Sequence, residues 1–81
     1  MGKIRVMSRH GDECATWDQQ KVLEGDLKAV YAIREAERIF AEERNKGATA
    51  FRVESGKPAQ RIEQFDPTAE QIVMVPRVVG G

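Results

Sequence analysis

The fold of this chain is decided by the stretch Glu70-Gln71-Ile72-Val73-Met74-Val75-Pro76-Arg77-Val78-Val79-Gly80-Gly81. It contains four consecutive apolar residues, Ile72 to Val75, which is typical of a strand that is covered on both faces or lies at the centre of its sheet. Pro76 has no N–H to donate to a sheet ladder, so it predicts the end of that strand. We therefore predict a final strand over residues 71–75, followed by a short tail that closes on two glycines.

The longest predicted element is a helix from Leu27 to Lys46, a stretch without glycine or proline that is rich in good helix formers. Asp26 precedes the helix, and its carboxylate can accept hydrogen bonds from the free N–H groups of the first turn. Gly47 follows the helix and can end it. At 100° per residue, one face collects the apolar side chains of Ala29, Ile33, Ala36 and Phe40. The pattern predicts one amphipathic helix with a single buried stripe.

Alternating segments before the helix predict a hairpin. Residues 3–9 place Ile4 and Val6 on one face, and residues 14–17 form a second short strand after a turn at residues 10–13. Trp17 is expected to cover one edge of the core, with its indole N–H reaching water or a carbonyl. Residues 18–25 are interpreted as a polar connection.

After the helix, residues 48–54 alternate and predict a strand with Thr49, Phe51 and Val53 facing inward. Residues 60–66 are compatible with either a short strand or a single helical turn. Together with the strand at 71–75, the element order is β-β-α-β-(β or turn)-β. It predicts an α+β domain over residues 1–76, in which a four- to five-stranded mixed sheet packs on one long helix and leaves its other face partly open.

The composition limits the functions that this domain can have. Thirteen basic and thirteen acidic residues cancel, so the chain has no general electrostatic attraction to nucleic acid or to an anionic membrane. No apolar run approaches the length of a membrane span, and no signal-peptide pattern opens the chain. A soluble, cytoplasmic domain that binds neither nucleic acid nor membrane is the expectation.

No motif for enzyme chemistry is found, so we expect no catalytic residues, no metal and no cofactor. His10 and Cys14 straddle a predicted turn without further ligands nearby, and the single cysteine is interpreted as a small core residue. The acidic residues of the helix alternate with arginines, which is typical of a solvated face. An apolar patch formed by Met7, Val73 and Val75 on the open sheet face is possible, unless residues 60–66 fold over it.

The opening hairpin, the long helix and the ending Ile72-Val73-Met74-Val75-Pro76-Arg77-Val78-Val79-Gly80-Gly81 together resemble the ubiquitin-like β-grasp family. Members of that family end in a strand, a short tail with an arginine, and Gly-Gly. The resemblance implies a β-grasp fold and a protein modifier or sulfur carrier that an ATP-dependent activating enzyme recognises. Gly81 would be the residue of covalent attachment and Gly80 its flexible neighbour. Arg77, Val78 and Val79 would be the recognition stem, exposed in the free protein.

The chain is also similar to small bacterial and phage proteins that share Trp17-Asp18, Arg52-Val53, Phe65-Asp66-Pro67 and the Gly80-Gly81 ending. That likeness implies no particular function. The alternative to a carrier is therefore a non-conjugated interaction or assembly module, for instance a phage-associated or structural protein, that uses its sheet face or a packed tail. Both hypotheses imply a protein partner, and the sequence leaves the oligomeric state open.

Overall fold

A computed structural model of the protein describes residues 1–7 and 13–77, without the side chain of Glu13. Within that part of the chain, the elements in order are β1 (Gly2–Val6), β2 (Glu13–Trp17), α1 (Gln19–Leu23), α2 (Leu27–Asn45), β3 (Thr49–Val53), β4 (Gln60–Ile62) and β5 (Gln71–Val75). Of the turn predicted at residues 10–13, residues 10–12 lie outside the described residues, and Glu13 is the first residue of β2 instead.

Helix α2 begins and ends where its sequence predicts. The carboxylate of Asp26 accepts hydrogen bonds from the amides of Lys28 at 2.9 Å and Ala29 at 3.2 Å. Lys46 caps the other end, and Gly47 follows with φ +94°, a left-handed conformation that glycine adopts without steric cost. The predicted stripe is confirmed, because the buried residues of α2 are Ala29, Ile33, Ala36 and Phe40.

The connection predicted over residues 18–25 contains a second, short helix. Asp18 caps α1, because its Oδ1 accepts from the amides of Gln20 at 3.1 Å and Lys21 at 3.2 Å. Gly25 then turns the chain with φ +82° and leads it into α2. The predicted element order, with a single helix, is wrong here, since the observed order is β-β-α-α-β-β-β. An element of five residues is too short to display a helical period.

The strands form one five-stranded mixed sheet in the order β2-β1-β5-β3-β4. At its centre, β1 and β5 run parallel, with Ile4 opposite Ile72. The neighbouring pairs β1–β2, β5–β3 and β3–β4 are antiparallel. The prediction of a mixed sheet packed on one long helix is confirmed, as is the central position of the last strand. Residues 60–66, which the sequence left ambiguous, begin with the short edge strand β4.

The face of β3 was predicted the wrong way round. Ala50 is fully buried and lies opposite Met74, which is also buried, so these two residues face α2. Thr49, Phe51 and Val53 therefore point to the other face of the sheet, where they are only partly covered. Alternation alone does not say which face of β3 is buried. The face with Phe51 was predicted to be buried because Phe51 is larger and more apolar than Ala50.

Trp17 occupies one edge of the core, as predicted. Its side chain is almost fully buried, and its Nε1 donates to the backbone carbonyl of Pro67 at 3.1 Å. The ring of Phe65 lies 5.3 Å from the indole and 5.9 Å from the ring of Phe40, measured between centroids. This aromatic row ties β2, α2 and the segment before β5 into one core.

Candidate functional site

The clearest candidate site is the point where the chain leaves the sheet after β5. The sheet ladder ends at Val75, which lies opposite Thr49, the first residue of β3. Val75 is 36 % exposed, and Pro76 and Arg77 are exposed as well. Because Pro76 cannot donate to the neighbouring strand, the central strand ends there and the chain continues at the surface.

Arg77 lies against the end of helix α2. A Cβ built on Gly47 would lie 3.2 Å from Cδ of Arg77, which is tighter than an ordinary van der Waals contact, and 3.6 Å from Cβ of Arg77, which is an ordinary one. Gly47 therefore has two roles. It ends α2 in a left-handed conformation, and its missing side chain leaves room for the aliphatic part of Arg77.

The sequence predicted five tail residues as a functional set: Arg77, Val78, Val79, Gly80 and Gly81. The structure places Arg77 at the surface beside Gly47, while the other four lie outside the described residues. The sequence did reveal Gly47 as a helix stop. Its contact with Arg77 has no signal in the sequence, because it depends on how the end of β5 passes the end of α2.

A second candidate surface is the sheet face opposite α2, which we call the open face. By register, Phe51 lies opposite Val73 and Thr49 opposite Val75 on this face, so apolar side chains run along β3 and β5 to the chain exit. Met7, just beyond β1, is 45 % exposed. At the predicted apolar surface, Val75 is exposed and Val73 is partly buried. Of residues 60–66, the first three form the edge strand β4, and Phe65 packs against Trp17 and Phe40 in the core.

The charged side chains on the open face are cations. Its strand positions carry Lys3 and Arg5 on β1 and Arg61 on β4, and no Asp or Glu occupies a position on this face among the described strands. Nε of Arg61 pairs with Glu63, just beyond β4, at 3.4 Å. Cys14 also lies here, opposite Arg5, and is exposed, so its interpretation as a core residue is wrong.

A charged cluster occupies the helix-facing side of the sheet near β4. Arg52 pairs with Glu54 and, at 3.3 Å, with Asp66. The hydrogen bond from Arg52 to Glu54 holds the pKa of the Glu54 carboxyl below its ordinary value. The hydroxyl of Thr68 donates a hydrogen bond to the carboxylate of Asp66 at 2.6 Å. This hydrogen bond is the main cause of the lowered pKa of the Asp66 carboxyl. Each acid has a local partner, so the cluster secures the segment before β5 and leaves no carboxylate poised for catalysis.

A broad cleft of about 540 Å³ lies at the opposite end of the sheet from the chain exit. The start of β1, Thr16, the end of β3 and Glu70 form its walls. The carboxylate of Glu70 accepts from the amide of Ser55 at 3.2 Å. Among the described residues, no three histidine, cysteine or acidic side chains come together as metal ligands. The walls of the cleft therefore hold no such group of metal ligands within that part of the chain.

Searches against protein-family models, curated proteins and solved structures gave no match. Neither helix in the described part of the chain combines the length and apolarity that crossing a membrane requires. The candidate site is thus defined by the geometry of this chain alone.

Proposed function

We propose that this protein is a ubiquitin-like protein of β-grasp type that is activated at Gly81 as a modifier or sulfur carrier. The observation that carries the proposal is the chain exit. The central strand β5 ends at an exposed Val75, and Pro76 and Arg77 continue at the surface towards Val78-Val79-Gly80-Gly81. A mixed sheet packed on one long helix, with its first and last strands parallel at the centre, supports the β-grasp assignment.

The chemistry follows from the carboxylate of Gly81. An oxygen of this carboxylate attacks the α-phosphorus of ATP, the bond between the α- and β-phosphates breaks, and pyrophosphate leaves. A thiolate, an amine or a sulfur donor then attacks the acyl carbon, and AMP leaves with the electron pair of the broken bond. Glycines at both final positions let the chain enter a narrow channel and adopt conformations that side chains forbid.

Arg77 is the first residue of the recognition stem that the activating enzyme is expected to contact. Its aliphatic part lies against Gly47, at the end of α2. The guanidinium group of an arginine presents five donors and suits a carboxylate of the activating enzyme. The partner is therefore expected to contact Arg77 together with the residues that follow it.

The test is incubation of the full chain with ATP and each adenylating enzyme of this type that the source genome encodes, followed by intact mass measurement. We expect an adenylate or thioester on the wild-type chain and none on a chain that lacks Gly81. A product of equal yield on the shortened chain, or no product with any such enzyme, contradicts the proposal.

The alternative function, an interaction or assembly module without conjugation, is favoured by the open face. Phe51, Val73 and Val75 form an apolar surface with cations on the surrounding strand positions, which suits a protein partner with apolar and acidic side chains. A photo-crosslinking residue at position 51 tests this. Adducts that persist after deletion of residues 78–81 favour the module, whereas their loss on deletion, or their absence throughout, favours the carrier.

A further inference from the structure

The broad cleft at the end of the sheet has a largely polar floor that neither proposed function uses. Its floor is one row of side chains on the open face, on four neighbouring strands, formed by Thr16, Lys3, Gln71 and Val53. Thr16 is the register partner of Lys3. Val53 is the register partner of Gln71. Lys3 and Gln71 lie side by side on the parallel central strands, because each directly precedes a residue of the pair that β1 and β5 form at positions 4 and 72. Neighbouring strands are about 4.8 Å apart, so the row spans about 14 Å.

The polar groups of this row have no partner in the part of the chain that the structure describes. Lys3 and Gln71 are partly buried, yet the ammonium group and the amide form no hydrogen bond or ion pair there. The hydroxyl of Thr16 forms none either within those residues. Because polar groups that are withdrawn from bulk water need hydrogen-bond partners, the floor offers a cation, an amide and a hydroxyl to a bound molecule.

The two carboxylates of the cleft wall differ in how far they are satisfied. Glu54 forms ion pairs with Arg52 and, at 3.3 Å, with Lys57. Oε2 of Glu70 accepts hydrogen bonds from the amide and the hydroxyl of Ser55, at 3.2 Å and 3.4 Å. Oε1 of Glu70 accepts none from the described residues. Two charged groups therefore remain to be matched, the ammonium group on the floor and the free carboxylate oxygen on the wall.

From this arrangement we propose that the cleft binds a free α-amino acid with an apolar side chain. The α-carboxylate of the ligand accepts from the ammonium group of Lys3 and the amide of Gln71, and its α-ammonium group donates to Oε1 of Glu70. Val53 and Met1 supply the apolar part of the cleft for the side chain of the ligand. The volume of about 540 Å³ falls within the roughly 300–1,000 Å³ of small-molecule sites.

The charges of the cleft favour a zwitterion over a phosphorylated ligand. A phosphate dianion would lie close to the carboxylates of Glu54 and Glu70, which is unfavourable because like charges repel at short range. Lys3 is the one lysine or arginine among the cleft residues, so a second negative charge would have no cation of its own. A zwitterion places a charge of opposite sign against both Lys3 and Glu70.

The test is a titration of the ¹⁵N-labelled full chain with L-leucine and with two analogues that each lack one charge. We expect saturable shifts confined to the cleft, at residues 2–3, 16, 53–55 and 70–71, with a dissociation constant on the order of 1 mM or tighter. Leucinamide lacks the carboxylate and N-acetyl-leucine lacks the ammonium group, so each should bind about tenfold more weakly or worse. Inorganic phosphate should cause no saturable shifts in the cleft.

Substitutions assign the two charges of the ligand to their partners. Lys3→Gln should weaken leucine binding about tenfold or more, whereas the matched Lys28→Gln, at an exposed lysine of α2, should bind leucine within about twofold of wild type. Glu70→Gln should weaken the binding of leucine but leave that of N-acetyl-leucine within about twofold. Deletion of residues 78–81 should not change the affinity, because the cleft lies at the opposite end of the sheet from the chain exit.

Four outcomes would each overturn the proposal. They are the absence of saturable shifts, equal affinity for leucine and either analogue, unchanged leucine affinity in Lys3→Gln, and saturable binding of phosphate in the cleft. A well-dispersed spectrum of Lys3→Gln shows that a loss of binding in this variant is not a loss of folding.

Discussion

Trp17 lies directly over Gly2, its register partner across the first hairpin. A Cβ built on Gly2 would lie 2.0 Å from Cε2 of the indole and 2.4 Å from Nε1, so no side chain fits there without displacing the ring. The indole in turn donates to the carbonyl of Pro67. A glycine in the first strand thus allows the tryptophan to connect the hairpin with the segment that precedes β5.

The first prediction follows from this contact. We expect Gly2→Ala to lower the free energy of unfolding by about 1–3 kcal/mol, because overpacking forces the indole off its partners. Urea unfolding followed by the emission of Trp17, the only tryptophan, measures it. The neighbouring Lys3→Ala, on the opposite face of β1, should change stability by about 0.5 kcal/mol or less. Equal effects of the two substitutions would contradict the packing described.

The contact between Gly47 and Arg77 predicts that alanine at Gly47 lowers the stability of the fold more than alanine at Gly25. Gly25 and Gly47 both follow a helix with positive φ, so alanine at either position should cost about 1–2 kcal/mol for the left-handed backbone. Only at Gly47 does the new Cβ also meet Arg77, since nothing lies within 4 Å of a Cβ at Gly25.

We therefore expect Gly47→Ala to destabilise more than Gly25→Ala in urea unfolding, and the excess to disappear when Arg77→Ala is added. A double-mutant cycle isolates this pairwise contribution. If the excess persists without the Arg77 side chain, the two residues do not interact as the structure indicates.

The corrected face of β3 gives a third prediction. Ala50 is fully buried against α2, so Ala50→Leu should cost about 1–3 kcal/mol through overpacking. Phe51→Leu, on the partly covered open face, should cost less than about 1 kcal/mol. Thermal or urea unfolding of the two variants compares them directly. A larger effect at Phe51 would restore the assignment that the alternation pattern suggested.

The fourth prediction concerns the stability of the fold at low pH. The Thr68 hydroxyl, together with the Thr68 amide and Arg52, lowers the pKa of Asp66 in the folded protein. The pKa of this carboxyl is lower in the folded protein than in the unfolded chain, where it is about 3.9. The carboxylate therefore stabilises the fold when the pH is above the pKa of the unfolded chain, and this stabilisation is lost as the pH falls through the pKa of the folded protein. Wild type should therefore lose stability as the pH falls below about 4.

Unfolding midpoints in urea from pH 6 to pH 2 measure this loss. Thr68→Ala removes the main donor and should flatten the decline, whereas Thr68→Ser keeps the hydroxyl and should preserve it. If Thr68→Ala declines as steeply as wild type, the Asp66–Thr68 contact is not the source of the acid sensitivity.

The long helix and the final strand of this fold can be predicted from sequence patterns, and the short helix cannot. Helix α2 and strand β5 were predicted with nearly their observed bounds, because nineteen residues show a clear helical period and Pro76 marks a strand end. The short helix α1 shows no such period. The face of β3 was missed because the residue that this strand buries, Ala50, is small and ranks below Phe51 in hydrophobicity.

The candidate site was predicted only in part, for a similar reason. The order strand, proline, arginine is visible in the sequence, and the exposed exit at Pro76 and Arg77 agrees with it. The contact of Arg77 with Gly47 and the exposure of Cys14 both depend on which elements become neighbours in the fold.

The proposal that Gly81 is the reacting residue can be tested by the exchange of labelled pyrophosphate into ATP. The purified activating enzyme is mixed with ATP, labelled pyrophosphate and this chain, and adenylation of a carboxylate makes the exchange depend on the chain. We predict exchange that saturates with the wild-type chain, weakens with Arg77→Ala and vanishes when Gly81 is deleted. Exchange that is unchanged by the deletion of Gly81 would contradict activation at this residue.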